Sequence, residues 1–233
     1  MNSRIFSLSL ALILLSGISF AQDNALSKKE KKDGWKLLFN GENFEGWTSP
    51  KGDSPDSVWK IEDGVFSLQK KNNDKRMNII TTDKYGDFEL VVDFKLTEAA
   101  NSGIKYFYNN HDQSVELGLE YQIIDNDRHP DAKDENRRLA ALYDMFEVST
   151  VEKVNVGEWN HIRIVSKGST VTHYLNGVEV LSFDRKSDAF ETARAASKYS
   201  KAKPLFGSFD TGHILIQDHS DIVYFKNVKI KAN

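Results

Sequence analysis

Period-two alternation, repeated in short runs, is the feature that most restricts how this chain can fold. Residues 87–96, DFELVVDFKL, place Phe88, Leu90, Val92, Phe94 and Leu96 on one parity and Glu89, Asp93 and Lys95 on the other. Successive strand side chains point to opposite faces, so this is the pattern of a half-buried β-strand. Similar runs recur. Residues 59–68, WKIEDGVFSL, read as a hairpin around Asp63-Gly64. Residues 101–109, NSGIKYFYN, read as a strand with Gly103 at a bulge or a close approach. Residues 159–168 and 171–183 form a meander whose Asn176-Gly177 turn is the strongest short hairpin signal in the chain. Residues 213–219 and 222–231 supply the closing strands, and residues 131–145 a polar loop. Helical spacing is confined to residues 187–198, where Ser187 or Asp188 can cap and Phe190, Ala193 and Ala196 share a face. Many short strands and one short helix predict an all-β sandwich of two antiparallel sheets.

Length and charge narrow the function classes. A chain of 233 residues suits one sandwich domain with a substantial core. The formal net charge of −3 and the lack of a basic stripe exclude a nucleic-acid partner. With no cysteine, neither a disulfide nor a thiolate metal site can form. Arg4 precedes an apolar run over residues 5–18, and Ser19-Phe20-Ala21 supplies small residues at cleavage spacing. Residues 1–21 are therefore predicted to be a signal peptide cut after Ala21, not a membrane span, which places the protein in a bacterial periplasm or outside the cell. Residues 22–33, rich in lysine, read as a disordered leader, and residues 34–233 as the single folded domain.

The candidate chemistry starts at residues 114–125, SVELGLEYQIID. Val115, Leu117, Leu119, Tyr121 and Ile123 share one face; Glu116, Gly118, Glu120 and Gln122 share the other. That second face is either wet or the floor of a sugar-sized groove. Paired carboxylates serve glycoside hydrolysis, but four strand residues span roughly 13 Å, whereas a retaining pair sits about 5–5.5 Å apart. Gly118 also replaces the central acid of the laminarinase-like E-x-D-x-E signature. In residues 212–220, GHILIQDHS, Gln217, Asp218 and His219 cluster at a strand end, and His219 is a candidate general base. Lys105 lies mid-strand among aromatics, either as an oxyanion partner or as a snorkelling surface lysine. Glu120 and His219 could also hold a divalent metal, although no short ligand spacing is present. Arg137 and Arg138 sit in the polar loop within reach of a ligand or of solvent.

Several motifs then occur in a recognisable order: LFNGENFEGW (38–47), WKIEDGVF (59–66), NSGI (101–104), EYQIID (120–125), LYD (142–144), GEWNHIRI (157–164), LNGVEV (175–180) and IQDHS (216–220). The ordered set resembles the 3-keto-disaccharide hydrolase domain family over residues 34–230. Two positions depart from the family pattern: Ser220 stands where glycine is common, and Lys105 where an apolar residue is common. The resemblance implies a concanavalin A-like jelly-roll sandwich, secretion, and action on oxidised sugars. A 3-keto group acidifies the neighbouring C2 proton, so elimination of the C1 substituent followed by hydration gives net hydrolysis. For that route the expected base is Glu120 or His219, with Lys105 or a bound divalent metal polarising the ketone. Gln122, Asp125, Tyr143, Asp218, Glu116 and Arg138 are the expected binding residues. Two alternatives stand beside it: a non-catalytic carbohydrate-binding module, and a retaining glycosidase using Glu116 and Glu120.

Overall fold

The computed structural model describes residues 22–69, 76–110, 116–150, 152–200 and 205–232. The expected signal peptide lies outside them. Two antiparallel sheets pack face to face. The larger sheet runs in the order β11 (Val178–Asp184), β10 (Thr170–Leu175), β9 (Trp159–Lys167), β6 (Phe88–Leu96), β13 (Val223–Ala232), β4 (Val65–Leu68) and β3 (Trp59–Glu62), with β1 (Lys36–Leu37) also paired to β13. The smaller sheet runs β2 (Trp47–Thr48), β5 (Ile79–Thr81), β12 (His213–Ile216), β7 (Asn101–Asn110) and β8 (Glu116–Ile124). This is the two-sheet antiparallel sandwich that the alternation predicted, with the jelly-roll form that the resemblance implied. Among the described residues, no helix is long and apolar enough to cross a membrane.

The alternation maps directly onto the layers. Phe88, Leu90, Val92, Phe94 and Leu96 of β6 are buried between the sheets. On the outer face, Glu89 accepts from Arg163 at 2.6 Å and Asp93 pairs with His161 at 2.7 Å, both across to β9. Phe39, Trp59, Phe66 and Phe225 fill one end of the core. Regular parity fails once in β7. Phe107 adopts φ +54°, and the pairing with β8 shifts register between Tyr106 and Asn109. Tyr106 and Phe107 thus both enter the main core, while Tyr108 packs on the other side with Ile80 and Leu215. A Cβ on Gly212 would collide with the Phe107 backbone, so the bulge depends on that glycine and not on Gly103.

His173 of β10 ties the sheets together from within. Its Nδ1 lies 2.8 Å from the Ala140 carbonyl, which can only accept, so Nε2 accepts from the Tyr106 hydroxyl at 2.9 Å. Burial pushes its pKa down to about 4. The folded state therefore holds the ring neutral. Stability is fully present above the ordinary histidine value of 6.5 and is lost as the pH falls toward about 4. The whole effect amounts to roughly 3 kcal/mol. Urea titrations should show this slope between pH 6.5 and pH 4 in the wild-type chain and a shallower one in His173→Gln. Equal slopes would contradict the assignment.

Residues 22–33 are not the disordered leader expected. Ser27 and Glu30 form a capping box that starts helix α1 (Lys28–Lys32). The segment docks on β13: Asn24 N donates to Asn227 Oδ1 at 2.6 Å, Lys226 reaches Asp23 at 2.6 Å, and Glu30 pairs with Lys229. The lysine run masked both the cap and the acidic partners facing it. The expected short helix is present as α2 (Asp188–Ala196), capped by Ser187 and anchored by buried Phe190.

Candidate active site

The outer face of the smaller sheet is not wet. Glu120, Gln122 and Lys105 are at most 7% exposed. Register places Lys105 opposite Glu120 and Gly103 opposite Gln122, so antiparallel pairing alone brings these groups together. The Lys105 Nζ lies 3.7 Å from Glu120 Oε2. Gly103 creates the seat for the carboxylate: a Cβ there would stand 2.6 Å from Glu120 Oε1. Close approach is therefore the reason for the glycine. Gly103→Ala should leave the Tm little changed, because only a side-chain end need move. With Glu120 as the candidate base, turnover should fall by about 10²-fold, the usual effect of displacing such a group by an ångström. Full activity in that variant would show that the carboxylate position is irrelevant.

One wall comes from the loop after β8. Ala140 N donates to Gln122 O at 2.9 Å, Gln122 N to Ala141 O at 3.2 Å, and Tyr143 N to Glu120 O at 3.1 Å, so the loop borders β8 as a short extra strand. Tyr143 Oη then donates to Asp131 at 2.8 Å. Its pKa is raised, chiefly by burial and then by Asp131, so the phenol stays protonated. Asp144 joins this loop to the tail of α2, accepting from Arg137 at 2.8 Å and from the Lys198 N–H at 2.8 Å. That tie sets Lys198 and Tyr199 on the adjoining wall, Tyr199 stacked on Phe206 at 3.9 Å between ring centroids.

The third side follows β12. Gln217 N donates to Gly103 O at 2.9 Å, and Ser102 Oγ to Gln217 O at 2.8 Å. Asp218 then accepts from Met77 N and Ser220 N, each at 2.8 Å, across a turn in which Ser220 has φ +72°. The turn presents His219, half-buried, to the cavity. Burial lowers the His219 pKa, Arg76 lowers it further, and Asp221 opposes.

These walls enclose about 310 Å³, the low end for a small-molecule site. Among the described residues, five buried side-chain polar atoms lack a hydrogen-bond partner, and three of them belong to the lining: Asn101 Oδ1, Gln122 Nε2 and Gln217 Oε1. Such atoms cost about 1–3 kcal/mol each when left unmade, so their convergence marks a place prepared for hydroxyl groups.

The structure thus brings Glu120, Lys105, Gln122, Tyr143 and His219 to one cavity. It sets three expected binding residues elsewhere. Asp125 is turned into its own loop, accepting from the Ala99 and Asp127 N–H groups and from Arg128. Asp218 braces the turn behind His219. Arg138 donates to Ala132 O and faces Glu135. Glu116 pairs with Asn110 at the opposite end of β8, and its side chain lies outside the described residues. Asn101, Lys198 and Tyr199 line the cavity without having been expected there, and Gln217, noted in the strand-end cluster but given no role, lines it as well. Asn101 shares parity with Gly103 and Lys105, which could have flagged it; Lys198 arrives through the Asp144 tie, which has no local signal.

The metal expectation changes partner. One ligand atom each from His129, His219 and Asp221 lie within 4.8 Å of one another, and Glu120 is not in that group. The spacing suits a divalent ion. However, His129 Nδ1 accepts the Asp131 N–H at 3.1 Å, capping a 3₁₀ turn, which leaves Nε2 protonated in the neutral ring. His129 could join such a site only by releasing that cap.

Comparison with known proteins agrees with this fold. A protein of Bacteroides thetaiotaomicron named 3-keto-disaccharide hydrolase is 32% identical over 240 residues, covering 91% of this chain and 83% of its own. The crystal structure of a candidate glycosyl hydrolase from Parabacteroides distasonis superposes with a TM-score of 0.83 at 32% identity, covering 91% of this chain and 100% of that one. A second from the same organism gives 0.66 at 25% identity, covering 85% and 99%. Residues 34–231 match the model of the 3-keto-alpha-glucoside-1,2-lyase-like domain. With its ordered motifs, its sandwich and this match across nearly all of the folded part, the chain belongs to the 3-keto-alpha-glucoside-1,2-lyase-like family.

Proposed function

We propose that this protein is a carbohydrate-cleaving enzyme acting on glycosides of 3-keto sugars, by C2 deprotonation, elimination and hydration. The observation that carries the reading is a single carboxyl side chain, Glu120, seated on Gly103 beside Lys105, in a cavity where three buried amide atoms have no partner among the described residues. The amides suit a polyol. The carboxylate suits removal of a carbon-bound proton next to a carbonyl.

The steps balance as follows. Glu120 takes the C2 proton; the C2–H electron pair forms C2=C3, and the ketone oxygen becomes an enolate. The enolate re-forms C3=O, its electrons make C1=C2, and the C1–O bond breaks. The proton now on Glu120 is returned to the departing oxygen on the neighbouring carbon, which closes the balance of the step. Water then adds at C1 and a proton at C2, giving the free 3-keto sugar. His219 sits nearer solvent, and its lowered pKa keeps it neutral near pH 7, which fits it to deprotonate that water. A neutral base with a lowered pKa keeps working into mild acid, so the hydration step should decline with an apparent pKa below 6.5.

Neither alternative fits as well. Among the described residues, Glu120 is the sole carboxylate lining the cavity, whereas a retaining glycosidase needs a facing pair. A binding module would offer an aromatic platform free to stack on a sugar, but Trp47 and Trp59 are core residues, and the aromatic rings that line the cavity, Tyr143 and Tyr199, both lie against the Lys198 ammonium. The predicted leader fits work outside the bacterial cytoplasm. The test is to incubate purified protein with a 3-keto-glucoside and with its unoxidised parent. Aglycone release from the first alone is expected; release from the parent alone would refute the reading.

A further inference from the structure

We propose that Lys198 is a catalytic residue, the ammonium that receives the negative charge developing on the ketone oxygen. This rests on the reading above and adds the group it lacks: a cation not already committed to a carboxylate. Lys105 does not supply it, since it lies 3.7 Å from Glu120 with both side chains at most 8% exposed. Lys198 belongs to none of the ion pairs among the described residues. Its Nζ instead lies 4.1 Å from the Tyr143 ring centroid and 5.2 Å from that of Tyr199. Two aromatic faces hold a cation without neutralising it and leave its N–H groups free to donate.

Charge in the cavity points the same way. Among the described lining residues Lys105 is paired with Glu120, so the cation left facing the cavity is Lys198. A neutral ketone gains nothing special from such a charge, but its enolate does, which is the condition for lowering a barrier rather than merely binding substrate. Desolvation lowers the Lys198 pKa, with Glu120, Asp144 and Asp131 opposing and Lys105 assisting. A less basic ammonium is a better hydrogen-bond donor to an oxyanion. The main chain there is held as well: Lys198 N donates to Asp144 Oδ2 at 2.8 Å, and Asp144 in turn is held by Arg137. Tail, loop and strand therefore set the ammonium against the same cavity as the base.

The experiment compares wild type, Lys198→Met and Lys198→Arg as full chains, measuring C2 hydrogen–deuterium exchange and aglycone release from a 3-keto-glucoside. Lys198→Met is expected to lower kcat for both by about 10²–10³-fold, as removal of one oxyanion donor does, with KM changed only a few-fold. Lys198→Arg should recover at least a tenth of the loss. Circular dichroism and Tm should match wild type in both, because the side chain is exposed at the cavity rim. Exchange at the wild-type rate in Lys198→Met would overturn the proposal. So would trapping of the substrate on Lys198 by cyanoborohydride, which would make the residue a covalent imine former instead. A wild-type protein that neither exchanges nor cleaves would remove the underlying reading, and this inference with it.

Discussion

Glu120→Gln is expected to reduce C2 proton exchange on a 3-keto-glucoside by about 10²–10⁴-fold, the range for loss of a positioned general base. The substitution keeps shape, so the Gly103 seat still fits the side chain. What it removes is the acceptor of the carbon-bound proton and the negative charge facing Lys105. The second loss has its own consequence. Lys105 would then be a buried cation whose ion pair with Glu120 is gone, and breaking a buried pair from one side costs about 3–5 kcal/mol at the upper end of its range. Lost activity could therefore be mistaken for lost folding. A Glu120→Gln/Lys105→Met double variant separates them: stability should return toward wild type in urea titrations while exchange stays low. Wild-type exchange in Glu120→Gln would move the base elsewhere.

His219→Ala is expected to change the product rather than merely the rate. If Glu120 handles both the C2 proton and the leaving oxygen, elimination can proceed without the imidazole. Hydration of the resulting C1=C2–C3=O system then loses its base. The unsaturated ketone should accumulate, visible by its conjugated ultraviolet absorption and by NMR, while aglycone release continues at a tenth or more of the wild-type rate. The fold should tolerate the change. The turn around His219 is held by Asp218, through the Met77 and Ser220 N–H groups, and not by the ring. If His219→Ala instead abolishes exchange at C2, His219 is the base and the roles of the two residues reverse.

The layers of the sandwich were legible because parity is a local property. Phe88 to Leu96 alternate in sequence and in burial, and Leu119, Tyr121 and Ile123 turn their backs on Glu120 and Gln122 as the sequence implied. Once β7 and β8 pair in that register, Lys105 and Glu120 must meet. The rest depends on contacts between distant segments. Asp125, Asp218 and Arg138 carry the polar groups that a sugar site uses, but backbone N–H and C=O groups claimed them first, which composition cannot reveal. Lys198 was hidden for the opposite reason: its place depends on one hydrogen bond to Asp144, 54 residues away. The segment at residues 22–33 looked like a solvated lysine run because Glu30 and Asp23 find their partners on β13, more than 190 residues along the chain.

The central claim is that the bond from C2 to hydrogen breaks before glycosidic cleavage is complete. It is tested most directly by NMR of the 3-keto sugar released in deuterium oxide, at times short against spontaneous exchange. The expected product carries deuterium at C2 from its first appearance, and a C2-deuterated substrate should react more slowly. A product that keeps its original C2 hydrogen, formed at the same rate from either substrate, would contradict the elimination route and favour direct displacement at C1.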